Sequence, residues 1–294
     1  MSERALGRPI RRAALLPGLW LALFVLAPLV ILAKISLAPP ADGAPPFGPV
    51  LDWRSGGWMG GLDAYHHLVA DDFYLDAFIA SLRIAATCAI ICLLIGYPMA
   101  YAIARAPRHW RAPLLMFVML PFWTSFVIRV YAWMGLLRPT GVVNNLLIWL
   151  GVIEDPIPLI GTELALHLGI VHAYLPFMIL PLYVSIDRLD WRLVEAAADL
   201  GCPPWRRFPA IVLPLTLPGI LSGLMLVFIP AVGEFVIPDL LGGSETVMIG
   251  RLLWDELFQS RSWPGAAAIA VAMLAALLAP ILLLQRARHA EGGR

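Results

Sequence analysis

Long stretches without a charged side chain limit most strongly how this chain can fold. Five runs of at least 21 residues contain no Asp, Glu, Lys or Arg, at residues 13–33, 84–104, 164–186, 208–233 and 262–285. A sixth apolar stretch, residues 112–137, is interrupted only by Arg129. A helix of about 20 apolar residues crosses the roughly 30 Å hydrocarbon core of a bilayer. Since 60% of the residues are hydrophobic and the mean hydropathy is +0.80, we predict an all-α membrane protein with six transmembrane helices.

Arginine is distributed unevenly between the segments that connect these runs. The first 12 residues, residues 105–111, residues 187–207 and the end of the chain are rich in arginine, whereas the other connecting segments are mainly acidic. Arginine-rich loops stay on the cytoplasmic side of the membrane, so both termini are predicted to be cytoplasmic and the acidic loops external.

This sidedness divides the chain into a cytoplasmic N-terminus (1–12), a six-span domain (13–286) and a cytoplasmic C-terminus (287–294). The first run follows several arginines, as a signal peptide does, but it is longer than the apolar core of a typical signal peptide. We therefore expect an uncleaved first helix.

Several connecting segments also have predicted structure. The external loop of residues 38–77 starts with many Pro and Gly residues and ends in a polar, aromatic stretch that predicts a short interfacial helix. Residues 142–150 are apolar but too short to cross, and residues 247–258 have apolar side chains at helical spacing. Prolines within the long runs either bend helices around a cavity that opens and closes or only reflect the frequency of proline in membrane helices.

A charged segment, EAAADLGCPPWRRFPAIVLP at residues 195–214, precedes the fifth run. Asp190 can cap a helix over residues 191–200, because its carboxylate can accept hydrogen bonds from free amides of the first turn. Gly201 provides a left-handed stop, and the two prolines after it prevent continuation. A short helix of this kind can dock into a groove on a soluble partner, although a loop helix packed on its own bundle has the same pattern.

The order Glu195-Ala196-Ala197, then Gly201 and Leu213-Pro214, resembles the EAA loop of permease subunits of bacterial ATP-binding-cassette (ABC) importers. In those permeases the loop, which corresponds to residues 187–210, forms a coupling helix that sits in a cleft of the ATPase. The resemblance implies a coupling role for Glu195, Ala196, Ala197, Asp199 and Gly201.

Other segments are similar to the polyamine-importer permeases of this family, namely residues 120–137, 141–147, 175–186, 227–243 and 248–258, whereas the first 80 residues match less distinctly. GEFVIPDLLGG at residues 233–243 favours the putrescine type over the spermidine type.

The resemblance implies the type I ABC importer permease fold and a location in the bacterial inner membrane. It also implies a heterodimer with a second homologous permease, two cytoplasmic ATPase subunits that bind ATP and Mg²⁺, and a periplasmic substrate-binding protein. Membrane lipid is expected around the chain, and neither a nucleic-acid partner nor a cofactor of its own is expected.

The sequence contains no motif for ATP hydrolysis or covalent catalysis. Its only lysine, Lys34, lacks the Gly-rich loop that cradles phosphates. A G-x-S-x-G motif, zinc-protease spacing and a cysteine pattern for metal binding are all missing. His167 and His172 in the fourth run are predicted to be packed, hydrogen-bonded residues. The chain is therefore predicted to be a transport subunit and not an enzyme, with no catalytic residue and no metal site.

Ionisable groups at membrane depth mark candidate functional sites, because they are costly in hydrocarbon. Arg129 in the third run and Glu234 at the external end of the fifth are the clearest examples. A dication such as putrescine requires carboxylates and benefits from aromatic faces. Glu234 and Asp239 can supply the carboxylates, and the aromatic candidates are Trp123, Tyr131 and Trp133. The alternative is a structural or gating ion pair of Glu234 with Arg129 or with a residue of the partner permease.

Two other classes of protein compete with the ABC importer hypothesis. An ion-coupled secondary transporter is expected to have more spans or visible inverted repeats, and a membrane enzyme requires a catalytic cluster. Within the importer hypothesis, spermidine, an opine or another cationic amine can replace putrescine, because the binding protein is expected to select the substrate.

Overall fold

The computed structural model describes residues 16–51, 56–243 and 246–291, with side chains as far as residue 278. Helices form nearly all of the regular structure of these residues, whose only β pairing is two isolated bridges. The predicted all-α fold is therefore confirmed. The predicted cytoplasmic N-terminus, residues 1–12, lies outside the described residues.

Twelve helices follow one another along the described chain. They are α1 (Leu16–Ser36), α2 (Asp63–Ala70), α3 (Asp72–Arg105), α4 (Arg108–Trp123), α5 (Phe126–Leu137), α6 (Val142–Trp149), α7 (Glu163–Asp187), α8 (Arg192–Asp199), α9 (Pro204–Val232), α10 (Val236–Leu241), α11 (Ile249–Phe258) and α12 (Trp263–Glu291).

Four of these helices, α1, α3, α7 and α9, are long and apolar enough to cross a membrane. Each of these four helices contains most of one of the apolar runs that were predicted to span the membrane. Helix α3 begins 12 residues before the run at residue 84, because the polar residues that precede the run continue the same helix. The short helices predicted at residues 247–258 and within the loop of residues 38–77 are present as α11 and α2. The apolar segment of residues 142–150, which is too short to cross, contains α6.

The third predicted span is not one straight helix. Helix α4 ends in a 3₁₀ turn that contains Pro121, and the chain from Arg108 to Trp149 bends by 87° at the break before Phe126. Thr124 and Ser125 have extended backbone there, and the Thr124 hydroxyl donates to the Pro121 carbonyl at 2.8 Å. A hydroxyl that bonds to the local backbone competes with helical hydrogen bonds, which explains why the apolar run does not continue as one helix.

Helix length does not confirm the number of six spans. The described residues give four spans, or five when the bent pair counts as one. The part of α12 whose side chains are described and which is apolar, Trp263–Leu278, is shorter than a full crossing requires.

The described residues divide into two compact units, one within residues 76–251 and one within residues 16–75 together with 252–291. In the first unit, α7 and α9 form the most extensive helix pair. Gly219 and Gly223 allow this close packing, since a Cβ atom at Gly219 would lie 2.9 Å from the Pro181 carbonyl oxygen and one at Gly223 would lie 2.6 Å from Met178 Sδ. In the second unit, α12 packs along α1 and α2.

Candidate functional site

The predicted docking segment folds as a short helix with a defined beginning and end. Asp190 Oδ1 accepts a hydrogen bond from the Arg192 amide at 3.1 Å, as predicted for a cap. After α8, Gly201 has φ = +78°, the left-handed conformation that glycine adopts without strain. The Cys202 amide donates to the Ala197 carbonyl at 2.9 Å, and the Gly201 amide donates to the Ala198 carbonyl at 2.9 Å. This pair of bonds is the Schellman motif that ends many helices.

Contacts on both sides hold α8 in place. The Arg105 guanidinium at the end of α3 lies 4.5 Å from the centre of the Trp191 ring, and Tyr101 meets the same ring edge to face at 5.8 Å. Beyond the stop, Arg207 Nε donates to the Cys202 carbonyl at 2.6 Å. The position of the helix is therefore fixed relative to α3 and α9.

One face of α8 is exposed. Leu193 and Leu200 are 49% and 88% exposed, and Ala196, Glu195 and Asp199 also face outward. The outward side of α8 and of the turn after it thus combines two leucines with charged residues. Ala197, by contrast, is half-buried and turns inward together with Val194 and Ala198, because the helix lies on its own bundle on that side.

The second feature is a cavity of about 420 Å³ between α4, α5, α7 and the end of α9. Two charged residues, Arg129 and Glu234, line it. Most of the remaining wall is aromatic, from Phe122, Phe126, Tyr174, Phe177 and Phe235. A small apolar cavity with a few convergent polar groups is the usual form of a small-molecule site.

Glu234 lies two residues beyond the end of α9 and is only 7% exposed. One carboxylate oxygen accepts a hydrogen bond from the Tyr174 hydroxyl. The other accepts from the Val236 amide at 3.1 Å. These two donors orient the carboxylate at the edge of the aromatic wall.

Arg129 projects from α5 and lies over the rings of Phe122 and Phe126, with distances of 5.5 and 5.7 Å from the guanidinium carbon to the ring centres. Its Nε and Nη1 atoms are buried and have no hydrogen-bond partner within the described residues. In the described part of the chain Arg129 and Glu234 therefore share a cavity without forming an ion pair.

The other candidates from the sequence lie apart from this cavity. Asp239 is exposed and forms an ion pair with Arg251 at 3.5 Å. Trp123 and Tyr131 are 76% and 56% exposed and are not in the cavity wall. Trp133 donates through Nε1 to His172 Nδ1 at 3.1 Å. The aromatic side chains of this cavity are the phenylalanines and Tyr174, and the predicted contact of Trp123, Tyr131 and Trp133 with substrate stays a prediction.

Both histidines of α7 are hydrogen-bonded within the bundle, as predicted. His172 accepts from Trp133, and the two ring nitrogens of His167 lie 2.8 Å from Thr87 Oγ1 and 2.7 Å from the Glu163 carbonyl oxygen. Sequence analysis missed Tyr174, although its place one helical turn before Phe177 on α7 was a signal that these two aromatic side chains share a face.

Known transport-system membrane proteins are similar to most of this chain. Residues 96–288 match the family described as binding-protein-dependent transport system inner membrane component. The spermidine/putrescine transport system permease protein PotB of Haemophilus influenzae is 38% identical over 269 residues, which cover 91% of this chain and 90% of that protein. PotB of Escherichia coli (strain K12) is 39% identical over 226 residues, or 77% of this chain and 82% of that protein.

The fold also resembles solved structures. A chain of a bacterial ABC transporter involved in the import of the acidic polysaccharide alginate superposes with a TM-score of 0.70 and 19% identity, over 96% of this chain and 97% of that one. A second structure of a bacterial alginate ABC transporter, in complex with an alginate pentasaccharide-bound periplasmic protein, has a TM-score of 0.64, 20% identity and coverage of 93% and 92%. At this identity the likeness concerns the fold alone.

Proposed function

The chain belongs to the family of binding-protein-dependent transport system inner membrane components, and on this premise we propose that it forms half of the translocation pathway of an ATP-driven polyamine importer. It is a multi-pass inner-membrane protein and a transport subunit, not an enzyme. The observation that carries the proposed substrate class is the 38% identity, over 91% of the chain, to a permease named for spermidine and putrescine.

The proposed substrates are putrescine and spermidine together. The relatives are named for both amines, and the preference for putrescine expected from GEFVIPDLLGG rests on that segment alone. The cavity chemistry supports an amine, because a buried carboxylate with aromatic walls can replace the water around an ammonium group. Glu234 is the proposed substrate contact at this point of the pathway.

The proposed assembly contains a second homologous permease, two cytoplasmic ATPase subunits that bind ATP and Mg²⁺, and a periplasmic binding protein. The family description and the alginate importer complex support the binding protein. In this assembly the chain has six spans with both termini in the cytoplasm. The bent pair α4–α5 and helix α12 supply the third and sixth spans.

The proposed coupling element is α8, with Glu195, Ala196, Ala197, Asp199 and Gly201. Its exposed face offers Leu193 and Leu200 to a cleft of the ATPase, while its inner face and its stop are fixed to the bundle. ATP-driven closure of the ATPase pair then moves α8 and, through it, the ends of α7 and α9.

Uptake by the assembled importer tests this proposal. The chain is expressed with its partner subunits in a bacterial strain that lacks polyamine uptake, and uptake of radiolabelled putrescine and spermidine is measured. We expect saturable uptake that requires both the ATPase and the binding protein. Failure of an assembled complex to import either amine contradicts the substrate class. Transport by the purified chain alone contradicts the coupling role.

A further inference from the structure

The cavity contains two opposite charges that do not pair. Glu234 is held by Tyr174 and Val236, whereas the Arg129 guanidinium lies over two phenylalanine faces with Nε and Nη1 buried and without an acceptor in the described part of the chain. Buried donors without acceptors are costly, and a guanidinium over an aromatic face recovers only part of that cost. Arg129 therefore has an unused capacity to bind an anion.

Glu234 is the acceptor that this cavity offers. A carboxylate can accept about four hydrogen bonds, and Glu234 uses one on each oxygen in this structure. The long arginine side chain has several rotatable bonds and a guanidinium that suits carboxylate geometry. A second arrangement, in which Arg129 leaves the rings and bonds to Glu234, is therefore chemically accessible.

We propose that Arg129 is a displaceable counter-charge for Glu234, which pairs with the carboxylate in one state of the transport cycle and gives way to the ammonium group of the substrate in another. Of these two steps, only the displacement of Arg129 by an ammonium group rests on the proposed amine substrate. The pairing of Arg129 with Glu234 follows from the cavity itself.

The arrangement has a direct consequence for transport. A transport site must bind its substrate tightly enough to admit it and weakly enough to release it. A tethered cation that competes for the same carboxylate lowers the affinity and promotes release. Arg129 thus sets the balance between affinity and rate, whereas Glu234 supplies the attraction.

A double-mutant cycle on basal ATPase activity tests the pairing without any substrate. The assembled complex is compared in wild-type form and with Arg129→Met, Glu234→Gln and both substitutions, and Arg129→Gln replaces Arg129→Met if that variant does not assemble. If the two residues pair during the cycle, the double variant departs from the product of the single effects by about threefold or more, the scale of coupled neighbouring residues.

The matched control is the exposed ion pair of Arg83 with Glu163, whose charged atoms lie 3.2 Å apart. Because exposed pairs contribute little, Arg83→Met and Glu163→Gln are expected to combine multiplicatively. If Arg129 and Glu234 also combine multiplicatively, the pairing is overturned.

Transport kinetics test the competition with substrate. For radiolabelled putrescine, Arg129→Met is expected to lower both KM and the maximal rate, each by about 5- to 10-fold, the lower end of the usual coupling between sites. Arg129→Lys, which keeps the charge, is expected to retain a KM near the wild-type value. A KM that is unchanged or raised in Arg129→Met overturns the competition. If the wild-type complex imports neither putrescine nor spermidine, the proposed substrate fails, and the ATPase cycle still decides whether the two residues pair.

Discussion

Replacing Gly201 with alanine tests whether the end of α8 is needed for coupling. A Cβ atom at this position would meet nothing within 4 Å, so the substitution adds backbone strain and no steric clash. An L-residue in the left-handed conformation costs about 1–2 kcal/mol. Since 1.4 kcal/mol corresponds to a tenfold change in an equilibrium, the population with the observed helix stop falls by at most about 5- to 30-fold.

The matched control is Gly151→Ala. Gly151 has φ = +71° and also has open space around it, but it follows α6, away from the coupling helix. Both variants carry the same strain and are expected to have similar unfolding midpoints in detergent.

The assay is ATPase activity stimulated by the binding protein, together with uptake, in the reconstituted complex. If the whole backbone strain acts on the helix stop, Gly201→Ala is expected to lower the stimulation of ATPase activity about fivefold or more. Gly201→Asn is expected to lower it less, because asparagine tolerates the left-handed region. Glu195→Lys, which reverses an exposed charge without strain, is also expected to uncouple. Full stimulation in Gly201→Ala, equal to that of Gly151→Ala, would refute the proposed role of this turn.

Three further outcomes are expected. Gly219→Ala places a methyl group 2.9 Å from the backbone of α7 and should lower the free energy of unfolding, followed by thermal unfolding, by about 1–3 kcal/mol. Its control is Gly135→Ala, which has open space around it and should be neutral or slightly stabilising in that assay. Glu234→Gln should lower amine uptake with normal co-purification of the partner subunits, and wild-type uptake would remove Glu234 from the pathway. Thr216→Val leaves the buried Tyr97 hydroxyl without its 2.9 Å partner and should cost about 0.5–1.5 kcal/mol, with no further loss when Tyr97→Phe is added.

Local signals explain why the coupling segment and most spans could be predicted. The cap at Asp190 and the stop at Gly201 depend on a few neighbouring residues, so their geometry follows from sequence order alone. The long spans follow from composition, because a bilayer demands about 20 apolar residues per helix. The bend before Phe126 was not predicted, since an apolar run looks the same whether it is one helix or two.

The cavity could be predicted only in part, because it depends on contacts between distant residues. Glu234 and Tyr174 are 60 positions apart, and no local pattern joins them. Arg129 and Glu234 were identified because charge is rare in apolar runs. The aromatic candidates Trp123 and Tyr131 do not line this cavity, since the packing of α4 and α5 decides which of their faces do so, and their contact with substrate stays a prediction.

The same two helices carry both the coupling segment and the carboxylate of the cavity. Helix α7 ends just before α8, and α9 begins just after it and leads to Glu234. Because Gly219 and Gly223 hold these two helices in close contact, a displacement of α8 is expected to move them as one body, which preserves the hydrogen bond from Tyr174 to Glu234. Arg129 belongs to α5, which is separated from α4 by the 87° bend. Besides rotation of the Arg129 side chain, movement of α5 relative to the α7–α9 pair changes the distance between the two charges, and the bend is the expected hinge for that movement.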